Sequence, residues 1–327
     1  MTKKLFVLPL MALMIAGCDN NQVPEEELKI ICPTGAPALA FYTEANNENF
    51  VTSSTPTNVA AELQKNDYDV VIFDSINGLN SIKKNNSNYK LAKIITGGNF
   101  FLAGINKTPD EHGIYPLPTA DDVVVSFGQN LIPDAVYSTL CSEYWHIENK
   151  ANYVAGATDA LATLKTGKYS GQDVDYVFIA EPALTTAMKD QNADTFGKVS
   201  IVRNIQEEWK KYSGQDGISQ AGIFVHQNAI ENKKGKLREL LSKVSDNIEV
   251  AVNNPDLAAA SINLYGELSD QAARFGFNAN VVKLVQKDGR NGFGLVDQTR
   301  SINTNEFLES LGKPTFSSEF FVELWEK

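Results

Sequence analysis

Short apolar runs alternate with helical segments along the chain, and the same order occurs in both halves. In the first half, Leu28–Cys32 and Val70–Phe73 are apolar almost throughout and stop at turn residues. Val123–Val125 and Tyr176–Ala180 do the same in the second half. Strands that are apolar on both faces indicate parallel sheets covered by helices on each side. The pattern therefore predicts the α/β class, with two doubly wound lobes.

The last third of the chain follows a different pattern. Apolar residues recur at helical spacing from Leu237 to Val252, and Pro255 begins a further helix. After Gly222–Val225 no further run of the strand type occurs. We expect this helical third to pack back on the first lobe.

Two of the predicted strands end on a carboxylate, and polar or Gly-containing turns follow the others. Asp74 follows one strand in the first half, and Glu181 follows the corresponding strand in the second. In open parallel sheets the ligand crevice lies beyond the carboxyl ends of the strands, where helix N-termini present free N–H groups. The residues that we predict to contact a ligand lie at or near these ends: Thr34, Gly35, Ala36, Phe41, Asp74, Ser75, Asn99, Phe100, Phe127, Gln129, Thr158, Glu181 and Gln220.

Each of these side chains also has a purely structural interpretation. Asp74 is equally suited to capping the helix that follows it, and Glu181 to a contact with the other lobe or with solvent. Thr34 and Gly35 fit an ordinary tight turn between a strand and a helix. Aromatic residues are more often core than ligand wall. The sequence alone leaves both interpretations open.

The N-terminus has the layout of an export signal. Lys3 and Lys4 precede the apolar run Leu5–Ala16, which is too short to span a bilayer comfortably. The run ends in LMIAGC, which resembles the bacterial lipobox, and this resemblance implies cleavage before Cys18 and a diacylglycerol on its thiol. Asp19 resembles the signal that retains lipoproteins at the inner membrane. We therefore expect an exported protein, lipid-anchored to the outer face of the cytoplasmic membrane.

Composition excludes several other classes of function. The chain has 29 Lys and Arg against 40 Asp and Glu, a net charge of −11, which disfavours binding to nucleic acid. Three His and three Cys form no metal-ligand or disulfide pattern, so the sequence predicts no metal and no cofactor. The motifs of serine hydrolases, zinc proteases and P-loop proteins are absent, and we expect no enzyme.

Four short segments, spread over nearly the full chain after the leader, carry a family resemblance. They are Pro33–Ala38 (PTGAPA), Val70–Asp74 (VVIFD), Ile94–Phe101 (IITGGNFF) and Ala180–Ala183 (AEPA). In order and spacing they resemble the extracytoplasmic solute-binding proteins of bacterial ABC importers. The similarity is to the type II periplasmic-binding-protein fold, in the nitrate/sulfonate/thiamine-precursor-binding-like group.

The resemblance implies a domain arrangement and a set of partners. Residues 1–17 are then a lipoprotein signal peptide and residues 18–27 a tether. Lobe 1 comprises residues 28–106 and 223–327, and lobe 2 comprises residues 107–222, with crossing segments near 106–118 and 213–222. A monomer would hold a small-molecule ligand between these lobes and deliver it to the permease and ATPase subunits of the importer.

The distribution of charge suggests the chemistry of that ligand. None of the five Arg residues lies in the predicted strand-end turns, whereas Asp74 and Glu181 lie at two of them. An oxyanion beside unpaired carboxylates is unfavourable, so we expect a nitrogen heterocycle, such as a thiamine pyrimidine precursor, whose amino hydrogens the carboxylates accept. Two alternatives stay open: a sulfonate- or nitrate-type oxyanion binder, and an enzyme on the same fold that is similar to the chorismate dehydratases.

Overall fold

The computed structural model describes residues 26–189, 197–297 and 299–324. The predicted signal segment, Cys18 and most of the predicted tether lie outside the described residues. The strands are β1 (Ile30–Pro33), β2 (Phe50–Ser53), β3 (Val70–Asp74), β4 (Tyr89–Thr96), β5 (Phe100–Ile105), β6 (Val124–Phe127), β7 (Asn152–Val154), β8 (Lys168–Tyr169), β9 (Gln172–Asp173), β10 (Tyr176–Ala180), β11 (Val199–Asn204) and β12 (Ala221–His226).

Thirteen α-helices connect or cover these strands in the described part of the chain. They are α1 (Ala36–Leu39), α2 (Pro56–Lys65), α3 (Ser75–Asn85), α4 (Ile132–Thr139), α5 (Ala157–Thr166), α6 (Ala183–Lys189), α7 (Ile205–Ser213), α8 (Gln227–Asn232), α9 (Lys234–Asn253), α10 (Pro255–Asn263), α11 (Leu268–Phe275), α12 (Ala279–Val285) and α13 (Thr304–Ser310). Within the described ranges, no helix combines the length and the apolar character needed to cross a membrane.

The strands form two five-stranded sheets, and each sheet belongs to one lobe. The first has the order β2-β1-β3-β12-β4, and the second has the order β11-β5-β10-β6-β7. Alternate residues of each sheet point into separate cores. In the first lobe Ile72 packs against α9–α12, and Val71 packs against α2 and α3. In the second lobe Phe178 packs beside α4 and α7, and Val177 beside α5 and α6. The prediction of two lobes with helices on both faces is confirmed.

The sheets are mixed rather than parallel, which differs from the expectation. β12 runs antiparallel to β3 and β4, and β5 runs antiparallel to β10 and β11. Both reversed strands start where the chain enters a lobe from the other one. A strand that begins at this crossing must run away from it, whereas β3 and β10 end there. The first residues of the reversed strands therefore pair with the strand ends: Ala221 with Asp74, and Phe100 with Ala180.

The predicted boundary between the lobes at residue 106 is wrong. β5 pairs with β10 in the second sheet, so the chain crosses between the lobes at residues 97–99. The Pro-containing segment 106–118 is instead a connection inside the second lobe. The return crossing lies between α7 and β12, at residues 214–220.

A third segment, from the C-terminal part, lies against both crossings. The Gly97 N–H donates to the Gly294 carbonyl at 2.6 Å, and the Ile218 N–H donates to the Gly97 carbonyl at 2.9 Å. The Arg300 guanidinium donates to the carbonyl oxygens of Asp216 and Leu295 and so joins this segment to the return crossing. The hinge region therefore consists of three adjacent segments.

The helical C-terminal third packs mainly on the first lobe, as predicted, but α13 is an exception. Phe307 lies in the core of the second lobe, with its ring centroid 5.1 Å from that of Trp209. Tyr212 also donates its hydroxyl to the Ser310 carbonyl at 3.1 Å. The C-terminal part thus holds both lobes, which apolar periodicity alone does not reveal.

Candidate functional site

A chain of hydrogen bonds crosses between the two sheets at the hinge. The Ser75 N–H donates to the Gln220 carbonyl at 2.8 Å, and Gln220 Nε2 donates to Asn99 Oδ1 at 3.1 Å. Asn99 Nδ2 then donates to the carbonyl of Glu181 at 2.6 Å. We call Ser75, Gln220, Asn99 and Glu181 the polar floor. The structure thus brings four of the predicted site residues together where the lobes meet.

One acceptor in the polar floor has no partner. Gln220 Oε1 is buried and accepts no hydrogen bond from any described residue. Its assignment as oxygen follows from the network, because Asn99 donates through its nitrogen to Glu181 and must accept from Gln220 through its oxygen. A buried carbonyl without a donor is costly, so this atom calls for a donor from a ligand or a water molecule.

Glu181 is paired with a cation that the sequence did not indicate. Its side chain is fully buried, and its carboxylate accepts from the N–H and hydroxyl of Thr185 at 2.8 Å each and from the Arg290 guanidinium. The Arg290 guanidinium carbon also lies 5.1 Å from the ring centroid of Phe101. Burial raises the pKa of Glu181, while Arg290 and Thr185 act in the opposite direction.

The pair also joins the lobes, because Arg290 follows α12 and Glu181 ends β10. Helix α12 itself lies against α6 of the second lobe. No Arg belongs to the strand-end turns in the sequence, but the fold brings Arg290 to one of them. The contact between lobes, which the sequence left open as an alternative for Glu181, is the one observed.

Asp74 caps the helix that follows it. Helix capping is one of the two interpretations that the sequence left open for this residue. Its Oδ1 accepts from the Asn77 N–H at 2.8 Å at the start of α3. Burial raises the pKa of Asp74 to about 6, against the hydrogen bonds from Asn77 and Ile76 that favour the carboxylate. Asp74 therefore loses its charge under mildly acidic conditions.

We expect Asp74→Asn to stabilise the protein at pH 8 and to have little effect at pH 3.5. The folded pKa of about 6 lies above the ordinary Asp value of 3.8, so the ionisation of Asp74 costs stability as the pH rises from 3.8 through 6. Asn also caps helices well and carries no charge, so the gain should be about 2–3 kcal/mol at pH 8. Urea unfolding at both pH values measures it, with the exposed Asp67→Asn as control. An equal effect of Asp74→Asn at both pH values would contradict the burial argument.

Several predicted site residues belong to the cores instead. Phe41 is fully buried and stacks on Phe50 with centroids 5.6 Å apart. Phe100 is buried between Phe178 and the half-buried Phe127. Its backbone N–H still lies beside the polar floor, where it donates to Gln206. Both rings are therefore packed in the lobe cores, that of Phe41 after α1 and that of Phe100 at the start of β5.

The remaining predicted residues lie in strand-end turns outside the polar floor. Thr34 is half-buried and Ala36 is buried, and the Gly35 N–H donates to the Phe275 carbonyl at 2.7 Å. A Cβ on Gly35 would meet no atom within 4 Å, so this turn borders open space. Gln129 and Thr158 are exposed at the starts of α4 and α5. Their contact with a ligand stays a prediction.

Ser75 has a structural role that links it to the C-terminal segment. Its hydroxyl is fully buried and lies 2.8 Å from the carbonyl and 2.9 Å from the hydroxyl of Ser219. Ser219 in turn lies 2.9 Å from the Thr304 hydroxyl. The hydroxyl of Ser75 is therefore already hydrogen-bonded inside the hinge, and Ser75 contributes to the polar floor only through its backbone N–H.

A cavity of about 340 Å³ lies between the lobes, and no residue of the polar floor lines it. Its walls come from α3 of the first lobe, from the start of α4 of the second, and from residues 313–316. None of the predicted site residues lines it. The predicted site residue closest in sequence to the cavity wall is Gln129, which precedes the lining residue Asn130 in the polar turn before α4. Among the residues that the structure describes, no group of three or more His, Cys, Asp or Glu residues is placed to hold a metal ion.

Comparison with solved structures identifies the architecture. The chain is similar to an ABC transporter protein from Parabacteroides distasonis, at 16% identity and a TM-score of 0.65, covering 91% of this chain and 99% of that one. It is also similar to the zinc-bound ligand-binding component of an ABC-type import system from Staphylococcus aureus, at 11% identity, a TM-score of 0.61, and coverage of 91% and 97%. The chain has the periplasmic-binding-protein fold.

A third similar structure is the periplasmic aliphatic sulphonate binding protein of Escherichia coli. It shares 12% identity at a TM-score of 0.57, with 83% of this chain and 86% of that chain covered. No protein-family model matches the sequence, and no curated protein matches it significantly. At these identities the similarity establishes the fold, and the ligand has to be argued from this chain's own residues.

Proposed function

We propose that the protein is the solute-binding component of an ABC importer. It holds one small molecule between its two lobes and delivers it to a membrane permease coupled to an ATPase. The observation that carries the proposal is the polar floor, in which the Gln220 and Asn99 side chains of the two crossings join backbone groups at the ends of both sheets. A ligand above this floor contacts both lobes at once. The similar structures include an ABC transporter protein, the ligand-binding component of an ABC-type import system and a sulphonate-binding protein, which supports the same assignment.

For the ligand we retain a nitrogen heterocycle, such as a thiamine pyrimidine precursor, with a changed set of contacts. Gln220 Oε1, rather than Glu181, is the acceptor for its N–H group, because Arg290 already occupies the carboxylate of Glu181. The half-buried ring of Phe127 is available as an apolar wall. An oxyanion binder is the second candidate, and Arg290 is the observation that favours it, since its side chain is 30% exposed beside the floor.

The membrane anchor belongs to the same proposal. Cys18, which lies outside the described residues, is the lipidated residue, and the mature protein is a monomer at the outer face of the cytoplasmic membrane. The described end of the tether contacts the first lobe, where Lys236 Nζ lies 2.6 Å from Glu27. Fatty-acid labelling of the full chain in cells should mark the wild type and not Cys18→Ser.

The proposed function predicts a bound solute and a change of shape. Mass spectrometry of the protein as purified, after denaturation, should release one small molecule, and small-angle scattering should show a smaller radius of gyration when it is added back. Gln220→Leu should weaken that molecule's binding about tenfold or more, because its hydrogen bond to Oε1 is lost. Gln64→Leu on the exposed part of α2 is the matched control.

Two results would contradict this function. One is chemical conversion of the added molecule, which would indicate an enzyme on the same fold. The other is binding that Gln220→Leu and Gln64→Leu affect equally, which would place the solute away from the floor.

A further inference from the structure

The cavity between α3 and α4 has a chemical character that differs from the rest of the protein. The chain has 40 acidic residues, yet no Asp or Glu lines this cavity. Lys83 and Lys313 do line it, together with Asn77, Asn80 and Asn130. Neither lysine forms an ion pair in the described part of the chain. Two unpaired cations therefore lie beside neutral amides in an otherwise acidic molecule.

The nearest carboxylate of α4 is engaged elsewhere. Asp134 accepts from the Asn130 N–H at 2.7 Å, from the Ser138 hydroxyl at 3.2 Å and from the Tyr153 hydroxyl at 2.5 Å. Its charge is thus used within the second lobe. Asp134 does not line the cavity, so it provides no counterion for Lys83 or Lys313.

The rest of the cavity wall is apolar. Leu308, Pro314 and Phe316 contribute from the C-terminal segment, and Ile132 contributes from α4. Leu131 also lines it and leaves 45% of its surface exposed, so its side chain is accessible to a ligand. Lys83 Nζ lies 5.8 Å from the ring centroid of Phe316, so the cationic and apolar parts adjoin.

We propose that this cavity binds a small organic anion with an apolar body, at a site separate from the polar floor. Lys83 and Lys313 bind the anionic group, and Leu131 and Phe316 cover the apolar body. A volume of about 340 Å³ suits a molecule of roughly six to ten heavy atoms. Because its walls come from both lobes, an occupant stabilises the arrangement of the lobes seen in the structure.

The test uses three probes on the full mature chain by calorimetry. Hexanesulfonate carries both features, methanesulfonate lacks the apolar body, and 1-hexanol lacks the charge. Hexanesulfonate should bind at least about tenfold more tightly than either of the others, because only it uses both walls. Its affinity should fall as salt rises from low to physiological concentration, because the lysines are exposed.

Matched variants assign the binding to the cavity. The double variant Lys83→Gln/Lys313→Gln should weaken hexanesulfonate about tenfold or more, whereas Lys84→Gln should leave it unchanged, because Lys84 is the next residue on α3 and does not line the cavity. All three lysines are exposed, so the variants should fold normally, which their thermal unfolding checks.

Gln220→Leu separates this inference from the proposed function. Hexanesulfonate binding that survives Gln220→Leu and depends on the two lysines supports a separate site. Binding that depends on Gln220 instead, or that Lys84→Gln reduces as strongly as the double variant does, overturns the inference. Dependence on Gln220 would place the probe at the floor, so this inference can fail while the proposed function stands.

Discussion

Replacing Arg290 by Gln is expected to lower the free energy of unfolding by about 3 kcal/mol at pH 8, toward the lower end of the range for a broken buried ion pair. The Glu181 side chain is fully buried, and without Arg290 its carboxylate keeps only the two hydrogen bonds from Thr185. The partial exposure of Arg290, 30% of its side chain, is the reason to expect the lower end.

The loss should depend on pH in a defined direction. Burial already raises the pKa of Glu181, and removing Arg290 takes away the largest opposing influence. A carboxyl whose folded pKa is raised costs stability as pH rises, so the deficit of Arg290→Gln should be smaller at pH 5 than at pH 8. Urea unfolding at the two pH values measures this difference.

A second variant separates the charge from the packing. Glu181→Gln/Arg290→Gln removes both charges and should recover part of the stability that Arg290→Gln loses, as a double-mutant cycle would show. Arg238→Gln is the control, because Arg238 is exposed on α9 and forms no ion pair with a described residue. If Arg290→Gln lowered the free energy of unfolding no more than Arg238→Gln does, the interlobe pair would not stabilise the fold.

Where the sequence predicted the structure well, local patterns were sufficient. β10 spans Tyr176–Ala180 as its apolar run indicated, and α10 begins at Pro255. Asp74 and Glu181 do lie at equivalent strand ends, each beside the first residue of a reversed strand. These features depend on residues that are close together in the chain, where side-chain pattern and turn chemistry decide the outcome.

The errors concern contacts between residues far apart in the sequence. Arg290 is 109 positions from Glu181, and no local pattern relates the two. The crossing at residues 97–99 was missed because the Pro residues of segment 106–118 looked more like a hinge than the short glycine pair Gly97–Gly98. Gly294 lies against this crossing, and no local pattern in the sequence indicates that contact.

The rule that a ligand crevice lies beyond the carboxyl ends of the strands located the polar floor, but it did not identify the atoms that are available to a ligand. It selected Asn99 and Gln220, which the structure joins to each other and, through Asn99, to Glu181, because both lie where chain segments cross between sheets. It could not show that Gln220 keeps one buried acceptor without a donor, whereas the Glu181 carboxylate already accepts from Arg290 and Thr185. That distinction changes which side chain a ligand is expected to contact, and it follows only from the full set of hydrogen bonds.

Gly294→Ala should be strongly destabilising because the hinge leaves no room for a side chain there. A Cβ on Gly294 would lie 1.9 Å from the carbonyl oxygen of Gly98, and a backbone oxygen cannot turn aside as a side chain can. The residue also has a φ of +64, which non-glycine residues adopt at a cost of about 1–2 kcal/mol. The overlap adds roughly 1–3 kcal/mol or more.

Gly289→Ala isolates the contribution of the overlap. Gly289 has a φ of +72, close to that of Gly294, but a Cβ there meets no atom within 4 Å. The two variants share the backbone cost, so the difference between their free energies of unfolding measures the clash with Gly98. Equal losses would mean that the C-terminal segment can move off the crossing freely.

The same pair of variants tests whether the third segment controls lobe movement. The Gly294 carbonyl accepts from the Gly97 N–H, so pushing this segment away from Gly98 also weakens its bond to the first crossing. Small-angle scattering should then show a larger radius of gyration for Gly294→Ala than for Gly289→Ala, because a hinge of two connected segments bends more freely than a hinge of three. An unchanged radius together with a large stability loss would limit the role of Gly294 to packing and leave hinge motion to the two crossings alone.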